Sequence, residues 1–318
     1  MKKKYYQPPN ADFWMGRTDG PASERWHQAM QLLPLDTGES LPPNGVALLG
    51  FACDEGVRRN KGRTGAAEAP VIIRKVLGNM AVTSQSPLFD AGDVVCPGEK
   101  LAKAQRQLAK GVTRLLAAGL KPLVLGGGHE TAYGSWLGLR QVMPEDERVG
   151  IINLDAHFDL RSGEESPTSG TPFWQIKQDC DHLGQDFSYL VLGIDPLANT
   201  QTLFARAKTY GVKWLSQRQG NAYPAQFTEA VRRLTATVDH LYLTIDLDVF
   251  AAAAAPGVSA TNPLGLLPQA VLPVLTEVAK SGKLRLVDIC EYNPNYDQDQ
   301  RTAKLAARLA GYLVSDWR

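Results

Sequence analysis

The sequence Ile-Ile-Asn-Leu-Asp-Ala-His-Phe-Asp-Leu-Arg, residues 151–161, joins an apolar run directly to three groups that can bind a metal ion. Residues 149–154 are uncharged and rich in aliphatic side chains, a pattern typical of a strand covered on both faces. Asp155, His157 and Asp159 then fall at or beyond its carboxyl end, where open α/β sheets bind ligands. If the backbone stays extended, its period of two points all three side chains to one side. A polar turn after a strand is the simpler alternative, and these residues alone leave both open.

Composition excludes several classes of protein. The 318 residues have a formal charge of +1 and no run of Lys or Arg longer than residues 2–4, which argues against a nucleic-acid partner. Residues 1–10 lack the apolar core of a secretory signal and no stretch resembles a membrane span, so we expect a cytoplasmic protein without membrane contact. The cysteines form no Cys-x-x-Cys pair, and we expect small buried hydrophobic residues at Cys53, Cys96, Cys180 and Cys290.

The order of the predicted elements indicates the fold class. Residues 1–44 show little periodicity, so we expect an irregular N-terminal arm packed on a single catalytic domain, residues 45–318. Helices are predicted at 69–77 and 99–118. Strands are predicted at 46–51, 88–95, 121–125, 149–154, 189–194, 212–215, 240–245 and 284–289. This alternation predicts an α/β protein, a three-layer α/β/α sandwich with a central, mainly parallel sheet.

Two further strand ends carry possible ligands. Residues 126–130, Gly-Gly-Gly-His-Glu, follow one apolar run, and residues 244–248, Thr-Ile-Asp-Leu-Asp, end another. The triple glycine lacks both nucleotide-binding fingerprints, which leaves a nucleotide-binding module as a weak alternative. Glycine also lets the backbone come close to a bound ion. Each motif alone is weak evidence, because a buried histidine or an Asp-x-Asp turn is common without a metal.

Together the three strand ends predict a metal site. Two imidazoles and four carboxylates at one sheet edge would be unfavourable without cations, because the buried carboxylates repel each other and every group loses hydration. Ligands of this kind without thiolate suit divalent ions such as manganese, and six side chains are too many for one catalytic ion with an open position. Two ions can share a water and lower its pKa for attack on an electron-poor carbon.

These motifs resemble those of the ureohydrolases, the arginase and agmatinase family, over most of the chain from about Gly45. The resemblance rests on Gly-Gly-x-His ending at His129, on Asp-Ala-His-x-Asp at 155–159, and on the signature from Thr244 through Pro256-Gly257 to Gly265. It implies that Glu291 pairs with a cationic amidine or guanidine. It also implies two Mn²⁺ ions per subunit, bound by His129, Asp155, His157, Asp159, Asp246 and Asp248.

Departures from the arginase pattern suggest a different substrate. Ser169-Gly-Thr-Pro-Phe173 stands where arginases and agmatinases have His-Gly, so Ser169 replaces a proton-shuttling histidine. Arg161 stands where arginase has an Asn, and the loop Arg58-Arg-Asn-Lys-Gly-Arg63 adds cations. Because Arg binds carboxylate in a bidentate fork, more fixed cations favour a more anionic substrate. These features resemble the histidine-degradation branch of the family.

The resemblance implies hydrolysis of N-formimidoyl-L-glutamate, a small amidine with two carboxylates, to L-glutamate and formamide. Asp159 would pass a proton to the leaving nitrogen and Glu291 would orient the amidinium. Candidate substrate-binding residues are Arg161, Arg63, Asn60 and Ser169. One alternative is release of urea from a guanidine by an agmatinase or guanidinobutyrase. Another is an inactive metal-binding scaffold. The sequence leaves a homo-oligomer open.

Overall fold

The computed structural model describes residues 2–20 and 24–318, in which ten strands form one sheet. The strands are β1 (Tyr6–Gln7), β2 (Met30–Leu32), β3 (Val46–Ala52), β4 (Leu88–Val95), β5 (Lys121–Leu125), β6 (Val149–Leu154), β7 (Ser188–Ile194), β8 (Lys213–Ser216), β9 (His240–Asp246) and β10 (Leu284–Cys290). Their order is β1-β4-β3-β5-β10-β9-β6-β7-β8, and β2 also pairs with β4. Only the β1–β4 pairing is antiparallel among these described strands. The predicted, mainly parallel sheet is confirmed.

Helices cover both faces of this sheet. They are α1 (Trp26–Ala29), α2 (Glu55–Arg59), α3 (Ala69–Gly78), α4 (Leu101–Ala117), α5 (Thr131–Arg140), α6 (Pro172–Leu183), α7 (Gln201–Thr209), α8 (Gln217–Ala222), α9 (Pro224–Thr235), α10 (Pro268–Ala279) and α11 (Arg301–Asp316). Successive strand residues enter opposite cores. Ile152 belongs to a buried cluster that includes residues of α3, α9, α10 and α11, whereas Ile151 belongs to a second cluster that includes residues of α4 to α7. The three-layer α/β/α sandwich is therefore confirmed.

The N-terminal arm differs from the irregular segment that we expected. Tyr6–Gln7 pairs with β4 in antiparallel fashion and Met30–Leu32 pairs with it in parallel. Strands of two or three residues are too short to produce a detectable alternation, which explains why the sequence did not predict them. Cys53, Cys180 and Cys290 are buried as expected, but Cys96 is only half-buried. No helix in the described parts of the chain is long and apolar enough to cross a membrane.

The strand order places four strand ends side by side at the centre of the sheet. β5, β10, β9 and β6 are consecutive neighbours and run parallel. Their carboxyl ends therefore open onto one edge, although the four strands are scattered through the chain. The loops leaving this edge bring together residues that are up to 162 positions apart, such as His129 and Glu291.

Candidate metal centre and substrate cavity

One group of four predicted ligands surrounds a histidine nitrogen. His129 Nδ1 lies 3.2 Å from Asp155 Oδ2, 2.9 Å from Asp159 Oδ2 and 3.2 Å from Asp246 Oδ2. One ligand atom from each of these four residues lies within 4.8 Å of the others. Four nitrogen and oxygen atoms facing a common point could hold a divalent ion.

A second group shares one of these residues. His157 Nδ1 lies 3.4 Å from Asp155 Oδ1 and 3.3 Å from Asp248 Oδ2. Asp155 thus directs one carboxylate oxygen to each group, as a ligand bridging two ions would. The second group offers three protein ligands within 4.8 Å of one another, so an ion held there would keep open positions.

Hydrogen bonding at His129 supports a cation at the first group. His129 Nε2 is 2.9 Å from the hydroxyl of Thr244, which can fix the proton on that nitrogen. His129 Nδ1 is buried and has no hydrogen-bond partner, despite three nearby carboxylate oxygens, and Asp248 Oδ1 is likewise buried and unpartnered. An unprotonated nitrogen facing carboxylates is unfavourable without a cation between them. The donor set therefore fits a bound metal pair.

The electrostatics of the protein groups alone lead to the same conclusion. Burial, together with the charges of Asp248 and Asp155, raises the pKa of Asp246 well above its usual range. Burial raises the pKa of Asp248 to about 6. Burial alone would lower the pKa of His129, but its carboxylate neighbours raise it well above the usual value. Without metal the cluster retains protons, so full ionisation of its carboxylates requires compensating positive charge.

Two acidic residues here adopt a backbone conformation that is unfavourable for residues other than glycine. Asp159 has φ +48° and Glu291 has φ +68°. Hydrogen bonds hold Glu291 in place, because its N–H donates to Gly127 O at 2.7 Å and its Oε1 accepts from the His129 N–H at 2.8 Å. Such conformations cost about 1–3 kcal/mol and cluster at functional sites.

A cavity of about 280 Å³ lies above the two ligand groups. Its wall includes every residue predicted for the site except Asp155, which lies buried beneath it. Buried carboxylates, including those of Asp248 and Glu291, line its base, whereas the exposed side chains of Lys61 and Arg161 lie farther out. A larger groove of about 810 Å³ beside Trp214 and α9 contains no histidine or cysteine among its lining residues, so size alone does not locate the site.

The arginines of the cationic loop are not equivalent. Arg58 donates to Glu55 at 2.7 and 2.8 Å and to Glu99 at 3.0 Å, and Arg59 donates to Glu55 at 2.7 Å. Neither lines the cavity. Arg63 does line it, but its Nε donates to Ser259 O at 2.9 Å and its Nη2 to Val258 O at 2.6 Å. Arg63 therefore fastens one cavity loop to another.

Two other cations of the cavity wall make no polar side-chain contact with the described residues. Arg161 uses its backbone N–H to donate to Gly170 O at 3.0 Å, but its guanidinium has no protein acceptor among them. The ammonium group of Lys61 likewise has no described partner. In the sequence Lys61 is one of several loop cations and nothing local distinguishes it, because only the fold reveals which cations are already paired.

Comparison with known proteins places this architecture in a family. The model of the arginase family matches residues 44–315. The chain is 49% identical to formimidoylglutamase of Aeromonas hydrophila, over 97% of this chain and 99% of that protein. It is 50% identical to formimidoylglutamase of Chromobacterium violaceum, over 94% and 96% respectively. The fold and the ligand cluster define a hydrolase with a candidate metal centre at the edge of its sheet. The chain belongs to the arginase family, which confirms the resemblance seen in its motifs.

Solved structures share the fold at low sequence identity. Formimidoylglutamase from Bacillus subtilis superposes with a TM-score of 0.81 at 22% identity, covering 94% of each chain. Formiminoglutamase from Trypanosoma cruzi with Mn²⁺ superposes with a TM-score of 0.79 at 22% identity, covering 92% of this chain and 98% of that one. At this identity the likeness supports the arginase fold alone.

Proposed function

We propose that this chain hydrolyses N-formimidoyl-L-glutamate to L-glutamate and formamide with the help of two Mn²⁺ ions. The observation that carries the proposal is the separation of charge along the cavity. Buried carboxylates line the base, and exposed cations lie farther out. The proposed substrate has the complementary pattern, a cationic amidinium at one end and two carboxylates at the other. The identity of about 50% to a formimidoylglutamase also supports it.

The proposed metal ligands follow the two groups of side chains. His129, Asp155, Asp159 and Asp246 would hold one ion, and Asp155, His157 and Asp248 the other. When bound, such a pair supplies an activated water and positive charge that stabilises the transition state. Oxygen and imidazole ligands suit Mn²⁺, and cobalt or iron would meet the same donor set.

Two carboxylates have proposed roles in the reaction itself. The Glu291 carboxylate uses Oε1 to accept the His129 N–H, which leaves Oε2 to pair with the amidinium and orient it. The Asp159 side chain is 12% exposed, whereas that of Asp155 is 0% exposed, so Asp159 reaches the cavity. It is therefore the proposed carrier of a proton to the departing glutamate nitrogen.

The outer wall is proposed to bind the glutamate portion. Arg161 offers a guanidinium that no described residue pairs, and this planar fork matches a carboxylate. Asn60 and Ser169 lie on the same wall and offer neutral polar groups. Arg63 has fewer free donors for a substrate carboxylate than its sequence position suggested, because its Nε and Nη2 already donate to Ser259 O and Val258 O.

A parallel assay tests the reaction. Protein loaded with Mn²⁺ would be given formimidoylglutamate, agmatine, guanidinobutyrate and arginine, and formamide and urea would be measured. Formamide from the first substrate alone supports the proposal, whereas urea from a guanidine would select the agmatinase or guanidinobutyrase alternative. Metal binding with no turnover of any substrate would indicate an inactive scaffold. An Asp246→Ala variant serves as the inactive control.

A cytoplasmic location is part of the proposal and agrees with four cysteines that form no disulfide. Fractionation of cells that express the tagged protein would test it. The homo-oligomer left open by the sequence is a separate question for light scattering.

A further inference from the structure

The substrate in the proposed function carries two carboxylates, and two cations of the cavity wall have no side-chain partner in the part of the chain that the structure describes. Among the described residues, Arg58 and Arg59 are paired with Glu55, and Arg63 is bonded to backbone carbonyls. Lys61 and Arg161 remain. A cation held next to others without a counter-ion is unfavourable, so a bound anion would be stabilised at this end of the cavity.

The backbone of Lys61 makes a lysine at this position unusual. Its N–H donates to Arg58 O at 3.1 Å, and the next N–H, of Gly62, donates to Val57 O at 2.9 Å. This pair of bonds closes α2 in a Schellman motif, in which the first residue beyond the cap is usually glycine. Lys61 has φ +61°, the left-handed conformation that disfavours L side chains. A functional requirement for its side chain would explain why a lysine stands where glycine would adopt the same backbone conformation with less strain.

The short motif also directs the side chain. Lys61 follows the end of α2 and lies on the cavity wall. Arg58 and Arg59 lie within the helix, and their side chains donate to Glu99 and Glu55 instead. The tight turn thus separates cations that hold the loop from one that faces the ligand.

We propose that Lys61 binds one of the two substrate carboxylates and that Arg161 binds the other, an inference that rests on the proposed function. Lys61 is then a specificity-determining residue. It would distinguish a dicarboxylate amidine from amidines or guanidines with one carboxylate or none. Arg63 acts indirectly, by holding the loop that carries Lys61 against residues 258–259.

Lys61→Gly tests the inference with little risk to folding, because glycine favours this conformation. The variant should keep its metal and its melting temperature. Its KM for formimidoylglutamate should rise about 10- to 150-fold, the range for one hydrogen bond to a charged group, while kcat changes little. Lys61→Arg should recover part of the loss. Lys103→Met, which removes an exposed α4 cation outside the cavity wall, is the matched control.

Two analogues separate Lys61 from general electrostatic effects. N-formimidoyl-γ-aminobutyrate lacks the α-carboxylate, and N-formimidoyl-2-aminobutyrate lacks the side-chain carboxylate. Lys61→Gly should lower kcat/KM for one analogue and leave it unchanged for the other, which identifies the carboxylate that Lys61 binds. An equal loss on both analogues, or no loss on formimidoylglutamate, would overturn the assignment. If the wild-type protein itself releases no formamide, the proposed function fails instead.

Discussion

The buried carboxylate of Glu130 accepts a hydrogen bond of 2.7 Å from the backbone N–H of Gly56. A Cβ atom at Gly56 would lie 2.5 Å from Glu130 Cδ, so the loop and the acid fit only because position 56 is glycine. Glu130 follows the proposed ligand His129, and Gly56 lies in α2, which ends at Arg59, two residues before Lys61. One hydrogen bond therefore couples the metal centre to the loop that faces the substrate.

Removing this carboxylate should loosen the loop and leave the metal centre intact. Glu130→Ala leaves the Gly56 N–H buried without an acceptor, which should lower the free energy of unfolding by about 1–3 kcal/mol. KM should rise because Lys61 and Arg63 lose their fixed positions, and metal content should be retained. Glu130→Gln keeps an acceptor of the same shape and should restore most of both properties. If Glu130→Gln lowers stability and raises KM as much as Glu130→Ala does, then the negative charge of Glu130, and not its hydrogen bond to Gly56, holds the loop.

Because the two ligand groups share only Asp155, substitutions of different ligands should remove different numbers of metal ions. His157→Ala removes a ligand from one group and should lower metal content towards one ion per subunit. Asp155→Ala removes the shared ligand and should lose both ions. Asp246→Ala should lose metal and most activity. Elemental analysis of dialysed protein would measure this, with exposed Glu164→Ala as the control. Full occupancy in all three ligand variants would refute the assignment.

Stability should depend on pH in opposite directions with and without metal. In chelated protein, burial raises the pKa of Asp248 from about 3.8 to about 6 and that of Glu130 from about 4.5 to about 7. The folded state then binds more protons than the unfolded state, so stability should fall as pH rises from about 4 to 7. Burial would raise the pKa of Asp155, but His129 and His157 lower it below its usual value. Asp155 therefore makes stability rise with pH, but only below about pH 4, outside the range considered.

Metal reverses the sign, because ligands must lose protons to bind it. The loaded protein should be more stable at pH 7.5 than at pH 5, and addition of Mn²⁺ to chelated protein near pH 6 should release protons. Urea unfolding at both pH values, with and without chelator, would measure the two slopes. Identical slopes would contradict a metal centre built from these carboxylates.

The strands and the proposed ligands were predictable because their signals are local. Residues 149–154 and 240–246 are buried along their whole length, and such strands appear in a sequence as largely apolar runs. Since parallel strands place their carboxyl ends at one edge, polar residues following several runs could be expected to meet. The structure brings Asp155, His157 and Asp248 together as this reasoning predicted.

The roles of the loop cations were not predictable, because they depend on distant partners. Arg63 is held by Ser259, 196 residues away in the sequence, and no local pattern indicates that contact. For the same reason the sequence could not show that the Lys61 side chain has no polar partner within residues 2–20 and 24–318, or that Glu130 accepts a hydrogen bond from Gly56. Only Gly62 after a short polar segment hinted at a helix end near Lys61.

Arg161 offers the most direct test of the anionic end of the substrate. Its guanidinium has no acceptor among the described residues and lines the cavity. Arg161→Ala should lower kcat/KM for formimidoylglutamate. The loss of transition-state stabilisation should be about 1.5–3 kcal/mol, the range for hydrogen bonds to a charged group. Metal content should not change. Arg161→Lys should recover little, because an ammonium group cannot reproduce the planar fork of guanidinium. Steady-state kinetics of both variants would measure this, and a value for Arg161→Ala within twofold of the wild type would move carboxylate binding to Lys61 and Arg63.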